Sequence, residues 1–448
     1  MRKKYIVALA SASALSISTA VFAQSANPAQ TADKTSDYTL QGSTVKPVIS
    51  PQAKVAPYEI SGTSFSGTAK ASEVILTTPV NASAAPIKTQ SGIYFYPSVF
   101  VGFGTNDNLQ SSSINQVSSS FVNIAPELVA ELKHKGDRYT ALVSVNNTNY
   151  ASSSSDNYTN SEITIAGDNY FTSRARAGWS VGQVNGNDPR GSNNRPLSAE
   201  PDRWHTTNLN GRIIYGAPEA QGRIEIALGS SAKTYDNNRI NTAIADLTAN
   251  TLGATLFYRL SSRTQALAEL RSTKTNYVSS LATDSNTERR IYGGMTWEAT
   301  AATTGTIKIG NLSKEFDRVN KTNFNGGSWE IAGRWKPLSY TSVDLLTTRT
   351  TADATGVGDY NLNTSVDLIW NHNWNRALST RVSIGTLDVD FGGTSRKDTA
   401  TNFAFSAEYA WLRWLKVGID LATTDNKTNA VTGAFKRTVS MVTLNASL

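Results

Sequence analysis

From Gly92 to the C-terminus the chain alternates apolar and polar side chains with a period of two, and the pattern never reverts. In the run Phe121 to Lys133, one parity carries Val122, Ile124, Pro126, Leu128, Ala130 and Leu132, and the other Asn123, Glu127, Glu131 and Lys133. Near the end, Leu415, Val417, Ile419 and Leu421 alternate with Lys416 and Asp420. A helix would spread these charges around its surface, whereas a strand places them all on one face. Only 39% of residues are hydrophobic, and no apolar run after the N-terminus approaches the roughly 20 residues of a membrane helix. Any membrane span must therefore be made of strands.

The connections carry a second signal. Eighteen alternating runs are read between residues 92 and 448, bounded by clusters of Asn, Asp, Gly, Ser and Thr. Tight turns fall near Lys135-Gly136, Phe171-Thr172, Pro218-Glu219, Ser261-Ser262, Ala301-Ala302, Pro337-Leu338, Asn375-Arg376 and Arg413, with longer polar loops between them. Short turns on one side and long loops on the other are the habit of a transmembrane barrel, the short side periplasmic. An even strand number puts both chain ends on that side and lets the first and last strands pair. A soluble β-sandwich also alternates. However, it would not sustain about 355 residues without a domain boundary, and its strands run to about five or six residues. Tyr94, Tyr215, Tyr258, Trp297, Trp335 and Trp370 are read as strand-end aromatics on the apolar parity, where an interfacial girdle belongs. The expected fold is all-β, an antiparallel transmembrane barrel spanning 92–448.

The first residues set the compartment. Arg2, Lys3 and Lys4 precede an uncharged apolar run, Tyr5 to Ile17, and Val21-Phe22-Ala23 offers small residues at the positions a signal peptidase reads. Residues 1–23 are expected to be a signal peptide, cleaved before Gln24, for export toward the outer membrane of a Gram-negative bacterium. Those three cations account for three of the seven net positive charges, so the basic balance makes no case for nucleic-acid binding. The chain has no Cys, which excludes a disulfide, a thiolate site and a lipidated cysteine. Residues 24–91 are rich in Ala, Ser, Thr and Pro and offer little apolar area for a core. They are expected to form a low-complexity periplasmic segment, or a plug that folds back into the lumen. At the other end, Val442, Leu444, Ala446 and Leu448 share the lipid-facing parity, a weak form of the signal read by barrel-assembly machinery.

Catalysis finds little support. The three histidines, His134, His205 and His372, sit in no nucleophile motif, and no spacing suggests a metal site or a cofactor. What remains is the charged parity. A Lys or Arg at the lipid midplane would cost about 2–4 kcal/mol, so the charges are assigned to the lumen. The candidate wall comprises Glu127, Glu131, Arg174, Arg176, Arg212, Arg223, Glu225, Glu269, Arg271, Arg290, Tyr292 and Glu298. Further round it adds Glu330, Arg334, Asp344, Asp367, Glu408, Lys416 and Asp420.

The segment GMTWEATAATTGTIKIG, Gly294 to Gly310, carries a family resemblance. Trp297, Glu298, Ala299 and Thr300, then Thr303, Thr304 and Gly305, are similar to the strand–turn–strand signature of the β-barrel porin family found with exopolysaccharide gene clusters. Ser261 to Thr264, Phe316-Asp317 and Asn106 to Asn108 are similar too, while Ala302 stands where that family carries Lys. The resemblance implies an outer-membrane barrel that exports an exopolysaccharide or capsular polysaccharide, with lipid, the polymer and periplasmic export proteins as partners and no catalytic residues. The alternatives are a general or solute-specific diffusion porin and a structural or adhesive surface barrel.

Overall fold

The computed structural model describes Leu76 and residues 86–447, apart from 193, 194, 196, 197, 218, 301, 302 and 355, and it gives no side chains for 298–300. The expected signal peptide, Leu448 and most of the 24–91 segment lie outside the described residues.

The strands form one sheet of nineteen, of which a two-residue piece, Ile87–Lys88, pairs only with Tyr94 and Phe95. The other eighteen are the staves of a barrel. They are β1 Ile93–Asn106, β2 Ser119–His134, β3 Asp137–Tyr150, β4 Tyr158–Tyr170, β5 Ala175–Asp188 and β6 Asp202–Tyr215. Next come β7 Gly222–Tyr235, β8 Leu247–Ser261, β9 Thr264–Tyr277, β10 Asn286–Thr300, β11 Thr303–Phe316 and β12 Phe324–Leu338. The circuit ends with β13 Thr341–Asp353, β14 Tyr360–Asn373, β15 Leu378–Phe391, β16 Lys397–Ala410, β17 Leu415–Thr428 and β18 Phe435–Ser447. Each pairs antiparallel with its neighbours in sequence, and β18 closes on β1 from Val439↔Asn106 to Ser447↔Ser98. Closure leaves no edge to meet lipid unpaired.

The connections alternate as the sequence implies. The eight on the side of the chain ends contain two to six residues, and the nine opposite contain five to thirteen. The first tight turn passes through Lys135 at φ 52° and Gly136 at φ 96°. Two successive residues in the left-handed region make the hairpin turn whose twist matches that of its strands, and Gly136 meets that requirement without strain.

Register settles the two faces. On β2, Asn123, Ala125, Val129 and Glu131 are buried, while Val122, Ile124 and Leu128 are exposed. The same holds round the circuit, with Ile163, Leu256, Ile309 and Leu368 exposed on the outside. A soluble protein rarely shows a contiguous apolar surface on this scale, and a barrel in lipid requires one. On the short-turn side this band ends in exposed aromatics: Phe171, Tyr215, Tyr258, Trp335, Tyr340, Trp374, Tyr409, Trp411 and Trp414. They sit at the level where amphipathic rings meet the headgroups. Tyr94 departs from the expected girdle. It pairs with Glu131 and shares the inner face with Tyr96, whose hydroxyl donates to Glu131 at 3.0 Å. The start of β1 is apolar on both parities, so alternation could not assign its faces.

Candidate functional site

The lumen is where the charges converge. Its densest part is the inner wall of β9 to β13. Lys308, fully buried, points its ammonium between two carboxylates, Glu269 Oε2 at 3.0 Å and Glu330. Arg271 contacts Glu330 at 3.1 Å and also meets Glu269. Arg290 reaches Glu330 at 3.1 Å and Glu288 at 2.6 Å. Lys314 extends the chain of charges to Asp353 at 2.5 Å. Tyr292 lies among them, its ring 5.5 Å from the Lys308 ammonium and its hydroxyl hydrogen-bonded to Ser328 Oγ at 2.7 Å. Four cations face four carboxylates, so this wall is close to neutral. A lone buried ammonium would cost several kcal/mol, and the two carboxylates facing Lys308 offset that cost.

Smaller pairs line the rest. Arg334 binds Asp344 through two nitrogens, at 2.6 and 2.9 Å, on directly opposed positions of β12 and β13. Arg138 meets Glu131 at 2.5 Å and Lys416 meets Glu408 at 2.6 Å. Glu127, Asp367 and Asp420 also lie on the inner face by register. On the long-loop side Arg195 contacts Asp188 at 3.0 Å and Asp202 at 3.2 Å. Lys233 sits 4.4 Å from the Trp204 ring and 4.6 Å from that of Tyr235. Toward the short turns, Arg176, Arg212, Arg223 and Glu225 share three neighbouring strands. Arg223 meets Glu225 at 3.2 Å and stacks on Phe257 at 4.3 Å.

One expected wall residue needs revision. Arg174 is exposed and lies between β4 and β5, outside the wall. Thr172 Oγ1 accepts the N–H groups of Arg174 and Ala175 at 3.1 and 2.9 Å, and the turn closes two residues later than alternation suggests. The side chain of Glu298 lies outside the described residues. The signature around it has a physical reading: Trp297 opposes Gly305, and a Cβ at Gly305 would fall 2.4 Å from the indole. Only glycine leaves room for Trp297 to lie across the hairpin. Sequence reasoning passed over Lys308, Glu288, Lys314, Arg138 and Asp168. Each sits on the inner parity of its strand, so the signal was available.

The histidines do not converge. His205 pairs with Asp236 at 2.7 Å, His372 packs against Trp370, Trp374 and Tyr340, and His134 ends β2. Among the described residues no group of three or more His, Asp or Glu is placed to hold a metal ion.

The long loops are braced to one another. Arg190 Nε donates to Asp156 Oδ1 at 2.8 Å, which links two loops. Lys321 reaches Asp284 at 2.7 Å and Asp359 at 3.2 Å, which links three. Partial burial alone would lower the Lys321 ammonium, but these carboxylates outweigh it and hold the group above the ordinary lysine range. Burial would raise Asp359, but the Thr322 N–H and Lys321 hold it below the usual carboxylate range.

No curated protein matches the chain. Among solved structures, the FrpB iron transporter from Neisseria meningitidis is 9% identical, with TM-score 0.43, over 74% of this chain and 62% of that one. The chain thus spans less than two thirds of the transporter's length. OccK2 (OpdF) of Pseudomonas aeruginosa is 10% identical, with TM-score 0.47, over 81% of this chain and 99% of that one. OpdK of Pseudomonas aeruginosa, solved with vanillate, is 11% identical, with TM-score 0.47, over 79% and 99%. A family model described as "Putative beta-barrel porin 2" matches residues 90–448, which is the barrel from end to end, and the chain belongs to that family of outer-membrane porins.

Proposed function

We propose that the barrel is a diffusion channel for small hydrophilic solutes. The observation that carries this reading is the inner wall: around Lys308 its charges neutralise one another in place, which fixes long side chains against the wall of a cylinder wide enough for an aqueous path. Barrels of about 16–18 strands leave such a lumen. Half-buried Thr206, Asn208, Asn210 and Arg212 give β6 a hydrated inner face. In this reading residues 1–23 are the export leader and 24–91 a periplasmic segment or a plug that enters the lumen. The purified mature protein in planar bilayers is expected to show discrete conductance steps, and vesicles containing it should swell in small sugars and amino acids. A silent bilayer with non-swelling vesicles would leave the structural or adhesive barrel in its place.

Polysaccharide export is a second reading, favoured by the Trp297 signature and by inward aromatics near the long loops. Phe121 and Tyr150 lie 5.7 Å apart, with Tyr158 on the next strand and Trp204 and Tyr235 beyond. Such ring faces suit sugars. Loss of surface polysaccharide in a deletion strain, with uptake of small solutes intact, would put export ahead of diffusion and would call for periplasmic export partners.

A further inference from the structure

We propose that Arg176 and Arg212 form an oxyanion subsite on the inner wall that takes the carboxylate of a passing molecule. The proposal rests on the channel reading for how the anion arrives, but the subsite itself stands on geometry. Arg176 opposes Ile214 and Arg212 opposes Gly178, so the two arginines are diagonal neighbours on β5 and β6. Diagonal positions lie about 7–8 Å apart, within reach of long side chains on one anion.

Their guanidinium groups are under-used. Arg176 is 2% exposed, and its Nε and Nη2 have no hydrogen-bond partner. The ionic contact of Arg212 is Nε to Glu225 Oε2 at 3.7 Å, beyond hydrogen-bond length. By contrast, Arg334 holds Asp344 at 2.6 Å. Nearby acids have other partners. Glu225 is closer to Arg223, at 3.2 Å. Asp168, diagonal to Arg176 across β4 and β5, accepts the Leu76 N–H at 2.8 Å and faces Arg138. Donors therefore exceed acceptors at this point of the wall, unlike the balanced cluster around Lys308.

A buried guanidinium without an acceptor is costly, and a carboxylate matches its paired N–H groups. The next inner polar pair along β5 and β6 is neutral: Asn210 Nδ2 donates to Ser180 Oγ at 3.0 Å, and such groups suit the hydroxyls of a sugar acid. The carboxylate could belong to a small solute or to an acidic residue of a polymer.

The test is calorimetric titration of the full-length barrel in detergent with galacturonate, trigalacturonate and galactose. Galacturonate is expected to bind and galactose not to. Arg176→Gln and Arg212→Gln should each weaken galacturonate by at least about 10-fold, Arg176→Lys by less, and Lys336→Gln, an exposed site, not at all. Heat-modifiable migration checks that each variant is folded. Absent binding, equal binding of galactose, or unchanged affinity in both glutamine variants would overturn the subsite. Tighter binding of the trimer identifies a polymer as the source, and equal binding a small solute. Because binding is read without conduction, a barrel that binds but does not conduct would defeat the channel reading alone.

Discussion

Lys308 on β11 reaches across the whole width of β10 to place its ammonium 3.0 Å from Glu269 on β9. Glu330, its direct partner by register on β12, meets it from the other side. One lysine thus ties four adjacent staves at a point where each carboxylate also engages an arginine.

Removing that lysine leaves two buried carboxylates short of a cation. Lys308→Met is expected to destabilise the barrel by about 3–5 kcal/mol, the usual cost of breaking a buried pair from one side. The check is a shift of the urea midpoint in refolding experiments in lipid vesicles. The double variant Lys308→Met/Glu330→Gln should recover part of the loss. An unchanged midpoint in the single variant would mean that the network is ornamental.

The next residue makes the opposite case. Ile309 is 57% exposed and points into the apolar band, while Lys308 beside it is wholly enclosed. Ile309→Arg is expected to cost about 2–4 kcal/mol at the membrane midplane, whereas Thr206→Arg on the half-buried inner face of β6 should cost far less. Vesicle refolding free energies compare the two, and equal costs would contradict the assignment of faces.

That contrast shows what the sequence made legible. Ile307-Lys308-Ile309 declares its faces by alternation, and so do strand number, turn side and nearly the whole charged wall. Partnership does not follow from parity. Lys308 meets Glu269 only because three strands are in a particular register, and register is set by turn geometry several residues away. Arg174 falls outside the wall because the Thr172 hydroxyl holds its turn open two residues longer. Tyr94 was misplaced because β1 begins apolar on both sides. The shortage of acceptors around Arg176 and Arg212 became visible only once the partners of Glu225 and Asp168 were known.

The loop brace predicts a pH dependence. Asp359 is held low, so its contribution is present above the ordinary carboxylate range and fades as pH falls through its folded value, below about pH 4. Lys321 is held high, so its contribution is present below about pH 10 and is lost as pH rises through its folded value. The Thr322 N–H, which donates to Asp359 Oδ2 at 2.8 Å, reports on this. Its hydrogen exchange, corrected for the intrinsic rate, should quicken about 10-fold below pH 4 and do so at pH 7 in Asp359→Ala. Exchange that is flat across that range would remove the brace as a stabilising element.

Leu76 gives the segment before the barrel a fixed point. It is buried, and its N–H donates to Asp168 Oδ1 at 2.8 Å on the inner face of β4. A backbone amide seated on a carboxylate inside the cylinder occupies space that a solute would otherwise use. A barrel lacking residues 24–86 is therefore expected to show larger single-channel conductance than the mature protein. Asp168→Ala should move part of the way, because it removes the acceptor and leaves the segment in place. Equal step sizes in all three proteins would mean that the segment does not narrow the lumen, and Leu76 would then be a local contact with no bearing on flow.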